Sequence, residues 1–130
     1  MEKDNQKILV SLQTEKAKRF LTQADEMANL KHWDLAANRY YYACFHAVQA
    51  LFIAKGVNAH THAGINTQFC LHFVKTGVVD ISYGSFLARM FQLRQKADYN
   101  CAYEVSESEV QEIVELTHNF VKTIISLIVI

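Results

Sequence analysis

Residues 38–47 read Asn-Arg-Tyr-Tyr-Tyr-Ala-Cys-Phe-His-Ala, and this stretch places strongly polar side chains inside a run that is otherwise apolar. If the stretch is helical, the helical repeat puts four polar side chains in one narrow stripe, namely Arg39, Tyr42, His46 and Gln49. The other side chains form an apolar face, which holds Tyr40, Cys44, Ala47, Val48 and Leu51. An arginine that is buried without a partner is costly. We therefore expect this polar stripe to meet charged groups from elsewhere in the chain, a second subunit or a bound anion.

The composition limits the size and the electric field of the molecule. A chain of 130 residues with 51% apolar content suffices for one domain, which we place over residues 1–130. The 13 basic and 13 acidic residues balance, so no net field attracts a DNA duplex or a membrane surface. We expect neither as a partner, and any anion-binding site must be local.

The spacing of the glycines and the absence of proline indicate an all-α fold. We predict an antiparallel bundle of about five helices, because the periodic stretches are joined by short connections. The first three helices are expected to begin near residues 5, 33 and 61. The fourth should begin near residue 80 or 82, and the fifth near residue 106. The second helix, which carries the polar stripe, should be the most buried of the five, with Tyr40, Ala47 and Leu51 inside.

Local signals mark several helix ends. Gly56 is expected to close the second helix as a left-handed C-cap, and Gly77 to end the third. Ser106 and Glu109 have the spacing of a capping box, which opens the fifth helix. The apolar run at 124–130 is far shorter than the roughly 20 residues that a membrane-spanning helix needs, so we interpret it as a buried helix end.

The cysteines predict a reducing environment. Their number, three, is odd, and no apolar signal segment follows the charged residues 1–7. We therefore predict a cytoplasmic protein.

Four segments in order resemble a branch of small proteins among the HEPN domains, whose name stands for higher eukaryote and prokaryote nucleotide-binding. They are Arg-x-Tyr-Tyr-Ala-x-Phe-His-Ala at 39–47, Thr-His-Ala-Gly at 61–64 followed by Phe69, Phe-Val-Lys-Thr-Gly at 73–77, and Leu-Arg-Gln-Lys-Ala-Asp-Tyr at 93–99. The resemblance implies a HEPN-like helical bundle that binds a nucleotide or RNA and forms a homodimer. It also implies the HEPN role in a toxin–antitoxin pair with a minimal nucleotidyltransferase, and no cofactor.

The polar stripe is the first candidate site. Arg39 could clamp an anion, Tyr42 could donate a hydrogen bond or stack on a base, and His46 could move a proton near neutral pH. The alternative is a buried polar network that only fixes the packing of the helices.

Residues 94–100 are the second candidate site. Arg94 and Asp98 are spaced for an ion pair within one helix. Ribonucleases of the HEPN superfamily carry an Arg-x(4–6)-His motif at this late position, yet here no histidine stands at 99–101, and Asp98 and Tyr99 occupy that region. An aspartate is a poor neutral-pH acid without a large rise in its pKa, so binding is favoured over catalysis.

Two functions therefore remain open at the sequence level. In a binding module, the nucleotide or RNA phosphate contacts Arg39, Tyr42, Arg94, Tyr99 and His62. In a metal-independent endoribonuclease toxin, the catalytic residues are Arg94, His46 and Asp98.

A metal site is the least favoured alternative. His60, His62, Cys70 and His72 lie close in sequence, but Cys70 and His72 are two residues apart on a helix and project in different directions. We predict that no metal is bound. His32 and His118 are placed on solvent-facing positions without a role.

Two geometric predictions follow. Arg39 and His46 should lie on the same side of the bundle as Arg94 and Asp98, within reach of a shared pocket or ion-pair network. The dimer should form through the fourth helix, where three large apolar side chains spread over more than one stripe, Phe86, Met90 and Phe91.

Overall fold

The computed structural model describes residues 2–128, which fold into five α-helices without a β-strand among them. The helices are α1 (Lys3–Asn29), α2 (Trp33–Lys55), α3 (His62–Phe69), α4 (Ile81–Tyr99) and α5 (Glu107–Ser126). The predicted all-α bundle is confirmed. Positions 129 and 130 of the terminal apolar run lie outside the described residues.

The predicted helix signals act at the expected positions. Gly56 follows α2 with a φ of 71°, a left-handed conformation that glycine adopts without steric cost. Ser106 accepts from the backbone of Glu109, whose side chain reaches back to the Ser106 N–H, so the capping box is complete.

Helix α2 lies at the centre of the bundle and packs against α1, α4 and α5. Tyr40, Ala47 and Leu51 have no accessible surface, as predicted. The core divides into two clusters along α2, one around Phe52, Phe69 and Phe120 and the other around Tyr40, Met90 and Ile113.

Helices α1 and α2 form a tight antiparallel hairpin. Lys31 turns the chain with a φ of 64°, and the His32 amide donates a hydrogen bond to the Met27 carbonyl. At the other end of the hairpin, Gln6 Nε2 donates to the Ile53 carbonyl at 2.9 Å. This register places the middle of α1 opposite the polar stripe of α2.

A π-helical turn, Cys70–Val74, continues α3, and in it the Lys75 amide donates to the Cys70 carbonyl at 2.8 Å. Gly84 lies within α4 and packs against this turn. It therefore does not separate two helices, as the spacing of the glycines indicated. A Cβ at position 84 would lie 2.8 Å from Cys70 Sγ. Glycine is therefore needed there for close packing.

No helix among residues 2–128 is long and apolar enough to cross a membrane.

Candidate functional site

The polar stripe of α2 meets α1 rather than charged groups of opposite sign. The Arg39 guanidinium carbon lies 4.8 Å from the centre of the Phe20 ring, and Nη1 is 3.3 Å from Asn38 Oδ1. Within the described chain, Arg39 is stabilised by the attraction of a cation to an aromatic face, and the expected charged partner from elsewhere in the chain is not found there. Among the described side chains, no carboxylate lies within 4.0 Å of Arg39.

His46 is enclosed between α1 and α2. Its Nδ1 lies 2.7 Å from Gln13 Oε1, an atom that can only accept, so Nδ1 carries the proton. Burial, reinforced by Lys16 and Arg19, lowers the pKa of His46 to about 4. At neutral pH this imidazole is uncharged, 8% exposed and engaged with α1.

Arg94 extends from α4 over two tyrosine rings. Its guanidinium carbon lies 5.6 Å from the centre of the Tyr42 ring and 5.4 Å from that of Tyr99. Asp98 Oδ2 is 2.9 Å from Arg94 Nε, so the ion pair anticipated within this helix is present. The N–H direction is not aligned for a hydrogen bond, and the contact is electrostatic.

His62 begins α3 and lies beside Arg94. Thr61 caps the helix by accepting from the Gly64 amide at 2.9 Å, which fixes the start of α3. The His62 ring stacks on Phe91, with centres 5.4 Å apart and planes 16° from parallel. Its Nδ1 shares a hydrogen bond with the Tyr41 hydroxyl. Partial burial, together with the Arg94 charge, lowers the pKa of His62.

These side chains form one aromatic cluster, which we define as Tyr41, Tyr42, Phe45, His62 and Phe91. Arg94 borders the cluster through Tyr42. Tyr99 extends from the same border and is 73% exposed, so it offers an open aromatic face to solvent.

The two candidate sites lie on the same side of the bundle. Phe20 contacts the Tyr42 ring with centres 6.5 Å apart, and Tyr42 in turn lies under Arg94. Arg39 and His46 are therefore joined to Arg94 and Asp98 by two aromatic rings and not by an ion-pair network.

Two of the three histidines of the metal alternative, and Cys70, have other partners. His62 bonds Tyr41, His72 Nε2 lies 3.0 Å from Gln68 Oε1, and Cys70 packs on Gly84. Across residues 2–128, no three histidine, cysteine or acidic side chains come together in a way that could hold a metal ion.

Several partners in the site were not expected from the sequence. Tyr41 was not singled out, although its neighbour Tyr42 was, and Phe45 and Phe91 were not assigned to the site. Their common signal in the sequence is an excess of aromatic side chains close to the polar residues of two predicted helices. The pairing across helices has no signature in the sequence.

His118, which we expected at a solvent-facing position without a role, is 41% exposed and has a structural partner. Its Nε2 lies 2.9 Å from Asp25 Oδ1, and the Tyr40 hydroxyl donates to the same oxygen at 2.6 Å. Asp25 thereby connects α1, α2 and α5. This contact depends on the three-helix register, which local sequence does not reveal.

Residues 10–127 match the family described as HEPN domain. The chain belongs to the HEPN family. A protein of Methanocaldococcus jannaschii with the name "Putative toxin MJ0142" is 30% identical over 82% of this chain and 72% of its own length. A "UPF0332 protein" of Thermotoga maritima is 40% identical over 72% of this chain and 70% of its own length. A second M. jannaschii protein, "Putative toxin MJ0605", is 37% identical over 68% of this chain and 66% of its own length.

Three of the segments that carry the HEPN resemblance meet at the aromatic cluster. Residues 39–47 supply its tyrosines and Phe45, residues 61–64 supply His62, and residues 93–99 supply Arg94. The fourth segment, at 73–77, lies apart from it and contributes Phe73 to the core.

Proposed function

We propose that this HEPN protein binds a nucleotide or an RNA phosphate at Arg94, with bases stacking on the neighbouring aromatic rings. The observation that carries the proposal is the placement of the Arg94 guanidinium over both Tyr42 and Tyr99. Asp98 contacts the guanidinium at Nε, and among the described residues no other carboxylate pairs with Arg94, so we propose its terminal N–H groups as the donors for a phosphate.

The exposed ring of Tyr99 supports base stacking. Stacking of a base on an aromatic side chain stabilises single-stranded nucleic-acid complexes by about 1–3 kcal/mol per base, and it tolerates different sequences. A ring that is 73% exposed beside an arginine offers both parts of such a contact.

The proposal includes a biological setting. The toxin names of two relatives, together with the family, support a toxin-like role. We assign the protein to a cytoplasmic toxin–antitoxin pair, as a homodimer whose partner is a minimal nucleotidyltransferase.

The direct test is the affinity for a fluorescent single-stranded oligonucleotide, measured by anisotropy with Arg94→Gln and the matched Arg89→Gln. Arg89 lies on the same helix and is bound to Glu112 at the surface. We expect Arg94→Gln to weaken binding at least tenfold, which corresponds to about 1.4 kcal/mol, and Arg89→Gln to leave it unchanged. Equal affinities of wild type and Arg94→Gln would refute the proposed site.

A second candidate function, a metal-independent endoribonuclease, is favoured by the position of His62. In the tautomer with the proton on Nδ1, His62 donates to Tyr41 and leaves Nε2 free as a base beside Arg94. The 2′-hydroxyl of RNA would lose its proton to Nε2 and bond to the adjacent phosphorus, while the 5′-oxygen leaves with a proton from solvent. Arg94 would stabilise the charge on the phosphate. In this scheme His62 takes the role assigned to His46 from the sequence, because His46 is held by Gln13.

This second candidate predicts cleavage of single-stranded RNA in excess chelator, with 2′,3′-cyclic phosphate ends. His62→Gln should abolish cleavage while His46→Asn retains it. Intact RNA after prolonged incubation with wild type would leave binding as the function.

A further inference from the structure

Three cations converge on the ring of Phe20, at the end of the site away from Arg94. Lys16 Nζ and the Arg19 guanidinium carbon each lie 5.9 Å from the ring centre, and the Arg39 guanidinium carbon lies 4.8 Å from it. We call Lys16, Arg19, Phe20 and Arg39 the Phe20 basic cluster. Helix α1 supplies three of its members and α2 the fourth.

Among residues 2–128, no carboxylate forms an ion pair with this cluster. Within the part of the chain that the structure describes, none lies within 4.0 Å of the three cations. Lys16 and Arg19 also help to lower the pKa of His46, which shows that their positive field reaches the buried imidazole. Like charges held near one another repel, so a bound anion would relieve the cost of gathering them. This local excess of positive charge contrasts with the zero net charge of the chain.

The Phe20 basic cluster is continuous with the Arg94 site. Phe20 lies edge-on to Tyr42, with centres 6.5 Å apart, and the Arg94 guanidinium carbon lies 5.6 Å from the centre of the same Tyr42 ring. The surface therefore presents cations, an aromatic ring and another cation across α1, α2 and α4. Alternation of positive groups with aromatic rings is the pattern that binds single-stranded nucleic acid, because phosphates and unpaired bases also alternate.

We propose that the Phe20 basic cluster is a second phosphate-binding subsite, and that one single strand of RNA runs from Arg94 across Tyr42 to Phe20. The inference rests on the proposed function and narrows its ligand class. A mononucleotide has its phosphates at one end and engages Arg94 alone. A duplex keeps its bases paired and cannot stack them on Tyr42 or Tyr99.

The experiment compares Lys16→Gln/Arg19→Gln with Lys7→Gln/Lys18→Gln, which removes two charges from exposed positions of the same helix away from Phe20. Glutamine preserves helix propensity, so all variants should fold. Binding of a twelve-nucleotide single strand and of AMP is measured as a function of salt concentration.

We expect Lys16→Gln/Arg19→Gln to weaken strand binding at least tenfold and to flatten the dependence of log K on log salt by about 1.4, the value for two lost phosphate contacts on a single strand. AMP affinity should change less than twofold, and the control double variant should retain the wild-type slope. Strand binding equal to that of the control variant would overturn the second subsite while Arg94 still bound AMP. Absence of AMP and strand binding in wild type would instead refute the proposed function and the subsite together.

Discussion

Two histidines of this protein have opposite surroundings, and the difference decides which can take part in chemistry. His46 is enclosed by α1 and donates a hydrogen bond to Gln13, whereas His62 is half-buried beside Arg94. The sequence favoured His46, because it lies on the polar stripe of a predicted helix. Burial by α1 could not be derived from that stripe alone.

His46 predicts a specific pH dependence of stability. Its pKa is about 4 when folded and about 6.5 when unfolded, so the unfolded chain binds more protons between these values. The stabilising effect is complete above pH 6.5 and is lost as the pH falls toward 4. We expect wild type to lose about 1–2 kcal/mol more than His46→Asn between pH 7 and pH 5 in urea denaturation.

Asparagine is the suitable control because its amide can still donate to Gln13 and does not titrate. Equal losses in wild type and His46→Asn would show that His46 is not held neutral by the fold.

Arg94→Lys separates charge from geometry at the proposed phosphate site. Lysine keeps the charge but lacks the planar fork that lies over Tyr42 and Tyr99. We expect Arg94→Lys to lose most of the oligonucleotide affinity that Arg94→Gln loses in the anisotropy assay. Wild-type affinity in Arg94→Lys would mean that the stacking geometry is dispensable.

At the scale of elements, local signals predicted helix ends and failed at contacts between helices. Gly56 and the Ser106 capping box act within a few residues, so the sequence located both. The π-helical turn and the approach of Gly84 to Cys70 depend on how α3 and α4 pack.

In the candidate site, too, the sequence located residues within one helix but not the contacts between helices. The stripe identified Arg39 and Tyr42, but the contacts of Phe20 with Tyr42 and of His62 with Tyr41 require the three-dimensional register.

Gly84→Ala should destabilise the protein despite the better helix propensity of alanine. The new Cβ would lie 2.8 Å from Cys70 Sγ and 3.3 Å from Val74 Cγ2. Overpacking costs about 1–3 kcal/mol and the propensity gain is at most about 1 kcal/mol, so we expect a net loss of about 1 kcal/mol. Chemical denaturation of Gly84→Ala in wild-type and Cys70→Ala backgrounds measures the coupling. The loss should shrink once the sulfur is removed, and an unchanged loss would place the strain elsewhere.

At the scale of the whole molecule, the dimer prediction keeps two of its three residues on α4, Phe86 and Phe91. Met90 has no accessible surface, because α4 turns it into the core beside Tyr40 and Ile113. Phe86 is half-buried and lines a cavity of about 550 Å³ between α4 and α5, and Phe91 stacks on His62. The number of large apolar side chains on α4 was therefore a poor measure of its exposed apolar surface.

Light scattering at micromolar concentration tests the dimer. We expect a mass about twice the 14.9 kDa of one chain, and a monomer for Phe91→Glu, whose carboxylate would have to be desolvated at the interface. Phe91→Leu removes the stacking on His62 without adding charge and should remain dimeric. A monomeric wild type, or a dimeric Phe91→Glu, would remove Phe91 from any interface.

The central claim, that RNA or a nucleotide binds at Arg94 and the aromatic cluster, is tested most directly by titrating the isotopically labelled protein with a short single strand and following its amide NMR signals. We expect saturable shifts concentrated at residues 39–46, at 61–64 and at 91–99, with further shifts at 16–20 if the strand reaches the Phe20 basic cluster. The exposed face of α5 should stay unchanged. Absence of saturable shifts, or shifts confined to α5, would contradict the central claim.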